Sequence, residues 1–182
     1  MLLSVLSTIA GLTLSGLLAG TALADTPLFS ADGYRAGLYR SPTPATAEVA
    51  ETVDTAKLQA LMAAQPNTLL IDVYKRQYLN GQFIDSEAHA NLPGSHWLAN
   101  TGDGALDAQW SGYFSRHLER LSAGDRQRPI VFYCRSDCWL SWNAVKRATA
   151  LGYSRLYWYR DGLDAWEAAG LPVVAATPEV FP

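Results

Sequence analysis

Residues 130–159 constrain the fold more tightly than any other stretch. Ile130-Val-Phe-Tyr133 carries no charge and follows Pro129, so it reads as a short buried strand. Cys134-Arg-Ser-Asp-Cys-Trp139 then turns the chain. Leu140, Ala144, Ala148 and Leu151 recur on one face of a helix, which Gly152 ends. Arg155 to Tyr159 supplies a second strand. Strand, helix and strand in so short a span require parallel strands joined by a right-handed crossover, the unit of an α/β sheet.

The preceding chain keeps the same rhythm. Glu48 to Val53 reads as an edge strand. Asp54 or Thr55 caps a helix through Lys57 to Met62, with Pro66 beyond its end. Leu69-Leu-Ile-Asp-Val73 is a buried strand, and Trp110 to Leu121 has the apolar spacing of a helix. The stretch between them, Tyr74 to Trp97, is polar and mixed, with a turn at Leu92-Pro-Gly94; Thr101-Gly-Asp-Gly104 is a second turn. After Asp161-Gly162 a short helix surrounds Trp166 and stops at Gly170. In an open α/β sheet, sites form beyond the carboxyl ends of the strands. Asp72 to Tyr74, the Cys134 turn and Tyr159 to Gly162 all lie at such ends.

Residues 1–24 contain no charged side chain, and Ala22-Leu23-Ala24 has the small-residue pattern of a cleavage site. The expectation is a signal peptide over 1–24 and a periplasmic mature protein. Residues 25–50 then form an N-terminal arm rich in Pro, Thr, Ala and Gly, 51–176 the folded domain and 177–182 a C-terminal tail. Phe29, Tyr34 and Tyr39 give the arm something to pack with. Hydrophobic content of 49% suits one globular domain. The net charge of −3, with no Lys/Arg block, argues against a nucleic-acid partner, and no membrane association is expected after signal removal.

The only two cysteines are Cys134 and Cys138. In an oxidising compartment a pair reads first as a structural disulfide. A bridge over three residues closes a very small loop and stabilises weakly, so a change of redox state is the better use of such a pair. Cys134, at the start of a helix, is the expected nucleophile, favoured as a thiolate by unpaired backbone N–H groups. Cys138 is the expected resolving thiol, able to attack a persulfide, sulfenic acid or mixed disulfide on Cys134. Trp139 is a lid or a partner-docking ring, and Arg35 and Arg40 are surface charges or reach an anion near the site. Asp72, Ser141 and Trp142 support the site, Asp72 by capping neighbouring loops. Two thiolates also suit Cu(I), with a third ligand from His89, His96 or His117; His96, next to Pro93-Gly94, is the best placed. The Cys-x-x-Cys-His haem signature is absent.

Leu70-Ile-Asp-Val73, Leu92-Pro-Gly-Ser95, Val131-Phe-Tyr-Cys134 and Asp161-Gly-Leu-Asp-Ala-Trp166 with Gly170-Leu-Pro-Val173 follow one another in the order found in rhodanese domains. The resemblance spans about residues 51 to 175. It implies a single-domain α/β fold with a parallel five-stranded sheet flanked by helices, and a cysteine persulfide carried by Cys134. The loop Arg135, Ser136, Asp137 and Trp139 would wrap that persulfide as an anion cradle. Phe132 to Arg147 also resembles the rhodanese-like proteins named for a two-cysteine-plus-tryptophan (CxxxCW) motif, which are associated with pyrroloquinoline quinone (PQQ)-dependent alcohol catabolism.

The chain departs from ordinary rhodaneses at Tyr74, where a basic residue is usual, and at Asn91, where a histidine is frequent. Cys138 and Trp139 depart from the usual loop as well. Arg135 and Asp137 cancel, so the loop is less cationic than a thiosulfate site would be. The expected function is therefore thiol redox or sulfane-sulfur transfer, as a sulfurtransferase-like or thiol–disulfide oxidoreductase activity. Its partner would be a small sulfur compound, a protein thiol or a periplasmic PQQ-dependent dehydrogenase. The competing readings are a non-catalytic accessory module for a quinoprotein dehydrogenase or cofactor, and a periplasmic Cu(I) carrier.

Overall fold

The apolar strands assemble as their alternation dictates. A computed structural model describes residues 27–181; the expected signal peptide lies outside these residues. In chain order the elements are β1 (Glu51–Val53), α1 (Thr55–Ala64), β2 (Leu69–Asp72), β3 (Tyr78–Leu79), β4 (Gln82–Phe83), β5 (Ala90–Asn91), β6 (His96–Trp97), α2 (Ala108–Ser122), β7 (Ile130–Tyr133), α3 (Trp139–Ala150), β8 (Leu156–Tyr159), α4 (Gly162–Ala168) and β9 (Val174–Ala175). The main sheet has five strands in the order β1-β8-β7-β2-β6, all parallel.

Side chains of successive strand residues point to opposite faces, and the chain fills both. Ile71, Ile130, Phe132 and Trp158 join Phe114 and Leu118 of α2 and Ala144 and Val145 of α3 in one core layer. Leu70, Val131, Tyr133 and Tyr159 join Leu58 of α1 and Leu163 and Trp166 of α4 in the other. Strands buried on both faces need continuous apolar sequence, which β7 has throughout and β2 has up to its terminal Asp72. Asp54 caps α1 by accepting from the Lys57 amide at 2.8 Å, and Asp107 caps α2 by accepting from Trp110 at 2.9 Å.

Two regions differ from the sequence expectation. Tyr74 to Trp97 is not strand-free: it holds the β3–β4 pair, β5, and the sheet's edge strand β6. These strands are two residues long, too short for periodicity to register. β5 pairs with β9 near the C-terminal end, which ties that end to the domain. The described part of the arm, in turn, is bound along its length rather than merely touching through aromatics. Arg35 donates its amide to Asn143 Oδ1 at 2.9 Å, and Asn143 Nδ2 returns bonds to the carbonyls of Arg35 and Gly102, both at 2.8 Å. Gly104 lies so close to the Arg35 carbonyl that a Cβ there would collide with it. Among the described residues no helix is long and apolar enough to cross a membrane.

Candidate active site

The turn after β7 is set by the short distance between a buried strand and the start of α3. Asp137 takes a positive φ of 48° inside it, and Cys138 is the residue that flanks the helix start. Cys134 and Cys138 are joined as a disulfide with a Cα separation of 6.5 Å, inside the range such a bridge requires. Both are sealed: Cys134 is 1% exposed and Cys138 0%. Ser141 lies beneath them, its Oγ 3.6 Å from Cys134 Sγ. That hydroxyl donates to the Cys138 carbonyl at 3.2 Å and accepts from the Trp158 indole at 3.0 Å. Ser141 thus lies against both a sulfur and the loop backbone.

The anion cradle is not formed around the sulfur. Among the described residues no backbone amide donates to either Sγ. The Ser136 amide donates to Asp164 Oδ2 at 2.9 Å, and the Trp139 amide donates to the Tyr39 carbonyl at 2.9 Å. Arg135 binds Asp164 Oδ1 at 2.6 Å, and Asp137 faces Arg160 at 3.8 Å. Burial works against the Arg135 charge, but the Asp164 carboxylate raises its pKa on balance. The physical reason is plain: a disulfide carries no charge, so the loop's donors satisfy carboxylates and carbonyls instead.

The arm covers the site. Arg40 bridges to Cys138, Ser41 donates its amide to the Asp137 carbonyl at 3.1 Å, and Thr43 donates to Asp137 Oδ1 at 3.2 Å. Trp139 lies under this strap, its indole N–H donating to Ser41 Oγ at 3.1 Å. Phe29 meets its ring edge-on at 5.5 Å, and the Arg35 guanidinium lies 4.8 Å from its centre. Trp139 is thus held as a lid against its own arm and does not present an open docking ring. Trp142 packs edge-on against it at 5.4 Å. Arg35 is buried in that contact and is not a surface charge.

Asp72 accepts from the Tyr74 amide at 2.8 Å. It also holds His89, which the sequence offered only as one of three candidate copper ligands. His89 Nε2 is 2.6 Å from Asp72 Oδ2, both side chains are buried, and the imidazole stacks on Tyr74 at 5.4 Å. Its signal was weak because His89 stands in an irregular stretch two residues before Asn91. Tyr133 donates to Ser95 Oγ at 2.8 Å and accepts from the Leu92 amide at 3.1 Å. Burial first, and the Asp72 carboxylate second, push its phenol well above the usual range. It therefore stays neutral.

The copper set does not assemble. His96 Nδ1 is bound to Glu179 Oε1 at 2.6 Å, and the two sulfurs are spent on each other. Among the described residues no group of three His, Cys, Asp or Glu side chains converges as a metal site.

The family model of the rhodanese-like domain matches residues 54–169, well over half of the chain. The chain belongs to the rhodanese-like family. A sulfurtransferase from Allochromatium vinosum is 39% identical over 56 residues, which are 31% of this chain and 51% of that one. The chain thus spans about half the length of that relative. The crystal structure of a thiosulfate sulfurtransferase from Pseudomonas aeruginosa superposes with a TM-score of 0.51 at 14% identity, covering 73% of this chain and 22% of the other. That likeness establishes the rhodanese fold and nothing finer.

Proposed function

We propose that this rhodanese-like protein takes up sulfane sulfur on Cys134 and, with Cys138, reduces it to sulfide, cycling between a dithiol and the disulfide. The observation that carries this reading is the direct bond between the two cysteines at the carboxyl edge of the sheet. In the reduced protein, the Cys134 thiolate attacks the outer sulfur of a persulfide R–S–SH. The sulfur–sulfur bond to R breaks, RS⁻ leaves, and Cys134 holds the persulfide. The Cys138 thiolate then attacks Cys134 Sγ, the disulfide forms, and HS⁻ departs. Two external thiols restore the dithiol and leave as their own disulfide, so the two electrons balance. The paired charges of Arg135, Arg40 and Arg160 with Asp164, Asp137 and Asp161 leave little net field for a dianion. They favour a persulfide or protein thiol over thiosulfate.

The proposal extends to place. The uncharged run over 1–24 supports export to the periplasm, and the Cys134–Trp139 sequence supports membership of the CxxxCW group. The partner would then be a protein of PQQ-dependent alcohol catabolism.

Intact-mass spectrometry tests the chemistry. The isolated protein is expected to be lighter by two hydrogens than after reduction. One equivalent of glutathione persulfide added to the reduced protein should restore the disulfide mass and release one equivalent of sulfide. Cys138→Ser should instead retain one extra sulfur on Cys134 and release none. A reduced wild type that fails to react, or that keeps the added sulfur, sinks the reading.

A further inference from the structure

Arg76, four residues beyond the end of β2, has surroundings unlike those of the Cys134 loop. The Arg76 backbone is fixed by Asn100, which accepts from its amide at 2.9 Å and donates to its carbonyl at 2.7 Å. The side chain is only 8% exposed. Its guanidinium lies 5.0 Å from the centre of the Trp97 ring, so one face is covered by the indole. Stacking uses that face and none of the edge N–H donors. Among the described residues no acceptor hydrogen-bonds to those donors. Asp85 Oδ1 stands 4.0 Å from Nη1, beyond a hydrogen bond, and its side chain is 97% exposed to water. The guanidinium is nearly buried, yet its nitrogens are not among the sealed, unpartnered polar atoms, so the edge is free to donate to whatever enters beside it.

That edge borders a cavity of about 180 Å³. Phe83, Ile84, Trp97 and Ala176 give it apolar walls, and Arg76 and Asp85 are its charged groups. The volume is below that of a drug-sized pocket, about 300–1,000 Å³. The neighbouring cation is not available to help, since Lys75 is bound to Asp103 at 2.6 Å. One positive charge, a carboxylate at the rim and apolar walls disfavour a dianion such as phosphate. A planar fork offered edge-on matches the two oxygens of a carboxylate.

We propose that the Arg76 cavity binds a small organic monocarboxylate with a flat apolar or aromatic body. The carboxylate pairs with the free edge of Arg76, and the body lies along Trp97, Phe83 and Ile84. This site is separate from the thiol pair, since none of its lining residues belongs to the Cys134 loop, and it stands whether or not the sulfur chemistry does.

Saturation-transfer NMR with benzoate as probe tests it on the full chain. Saturable binding is expected, weakened at least about tenfold in Arg76→Gln. Ala176→Phe, which fills the cavity and leaves Arg76 in place, should abolish the signal; it decides the matter should Arg76→Gln fail to fold by its melting curve. Inorganic phosphate at equal concentration should not displace benzoate. Absence of saturable binding, full binding by folded Arg76→Gln or by Ala176→Phe, or equal competition by phosphate would each overturn the assignment.

Discussion

The loop after β7 and the segment after β2 leave the same end of the same sheet, yet they treat their polar groups in opposite ways. In the Cys134 loop the amides of Ser136 and Trp139 and the side chains of Arg135 and Asp137 all have partners, and the arm closes over them. After β2, the Arg76 side chain is more buried than those of Arg135 and Asp137, yet it keeps its guanidinium edge uncommitted beside a cavity. The first region seals its two sulfurs beneath the arm; the second leaves a guanidinium edge facing a cavity. The contrast teaches that burial alone does not mark a resting site. What matters is whether the buried donors have been given acceptors.

The contrast can be broken most forcefully at Gly162. It has a φ of +55°, and a Cβ there would strike the Cys134 carbonyl, against which the Leu163 amide is bonded at 2.9 Å. Gly162→Ala should cost about 3 kcal/mol, a fall in melting temperature of about 6–12 °C, and should make the disulfide reducible by mild thiol. Trp139→Ala removes the lid and its contacts with Phe29, Arg35 and Trp142. A loss of about 2 kcal/mol is expected in urea unfolding, with reduction by dithiothreitol at least about tenfold faster because the sulfurs are uncovered. If the rate does not change, the strap is not what protects the pair. Cys138→Ser should cost about 1–2 kcal/mol, as the loss of so small a closed loop implies, and its unfolding midpoint should no longer respond to reductant.

The same contrast explains what was legible in the residues. The β7–α3–β8 unit could be read because its apolar residues have the right periods and its turn holds both cysteines; β7 falls on Ile130–Tyr133 as expected, and α3 begins one residue earlier than the expected Leu140, at Trp139. Asp72 could be read as a capping carboxylate because it ends a buried strand. The strap could not, because its bonds run through backbone groups of Tyr39, Ser41 and Thr43, which any residue but proline could supply. Asn143 was equally silent: one polar side chain among the several of α3 gives no sign that it clamps Arg35 and Gly102. The cradle was expected from the resemblance, which describes a charged sulfur, whereas the disulfide is neutral and releases those donors to other acceptors. Arg76 had no signal, since its neighbours Phe83, Trp97 and Ala176 come from three separate stretches.

The mildest test concerns the wall of the open cavity. The C-terminal segment that supplies Ala176 is pinned through Glu179, which accepts from Arg120 at 2.9 Å and pairs with His96 at 2.6 Å. His117 stands behind it as a neutral ring: Nε2–H donates to the Val180 carbonyl at 3.0 Å, and Nδ1 accepts from Arg120 at 3.0 Å. Burial lowers its pKa below the ordinary value; Val180 and Glu179 pull it back, while Arg120 and Arg116 lower it further. Because the folded state prefers the uncharged imidazole, this contribution is complete above about pH 6.5, the unfolded value. It is lost as pH falls through the lower folded pKa. The wild type should therefore lose stability on acidification, measured as a urea midpoint, by more than His117→Gln, whose amide can serve as donor and acceptor without titrating. Benzoate binding at the Arg76 cavity should weaken over the same range in the wild type alone, because the wall loosens only where the ring becomes charged. Identical pH profiles in the two proteins would show that the C-terminal segment is held without His117, and the open region would then be as firmly built as the closed one.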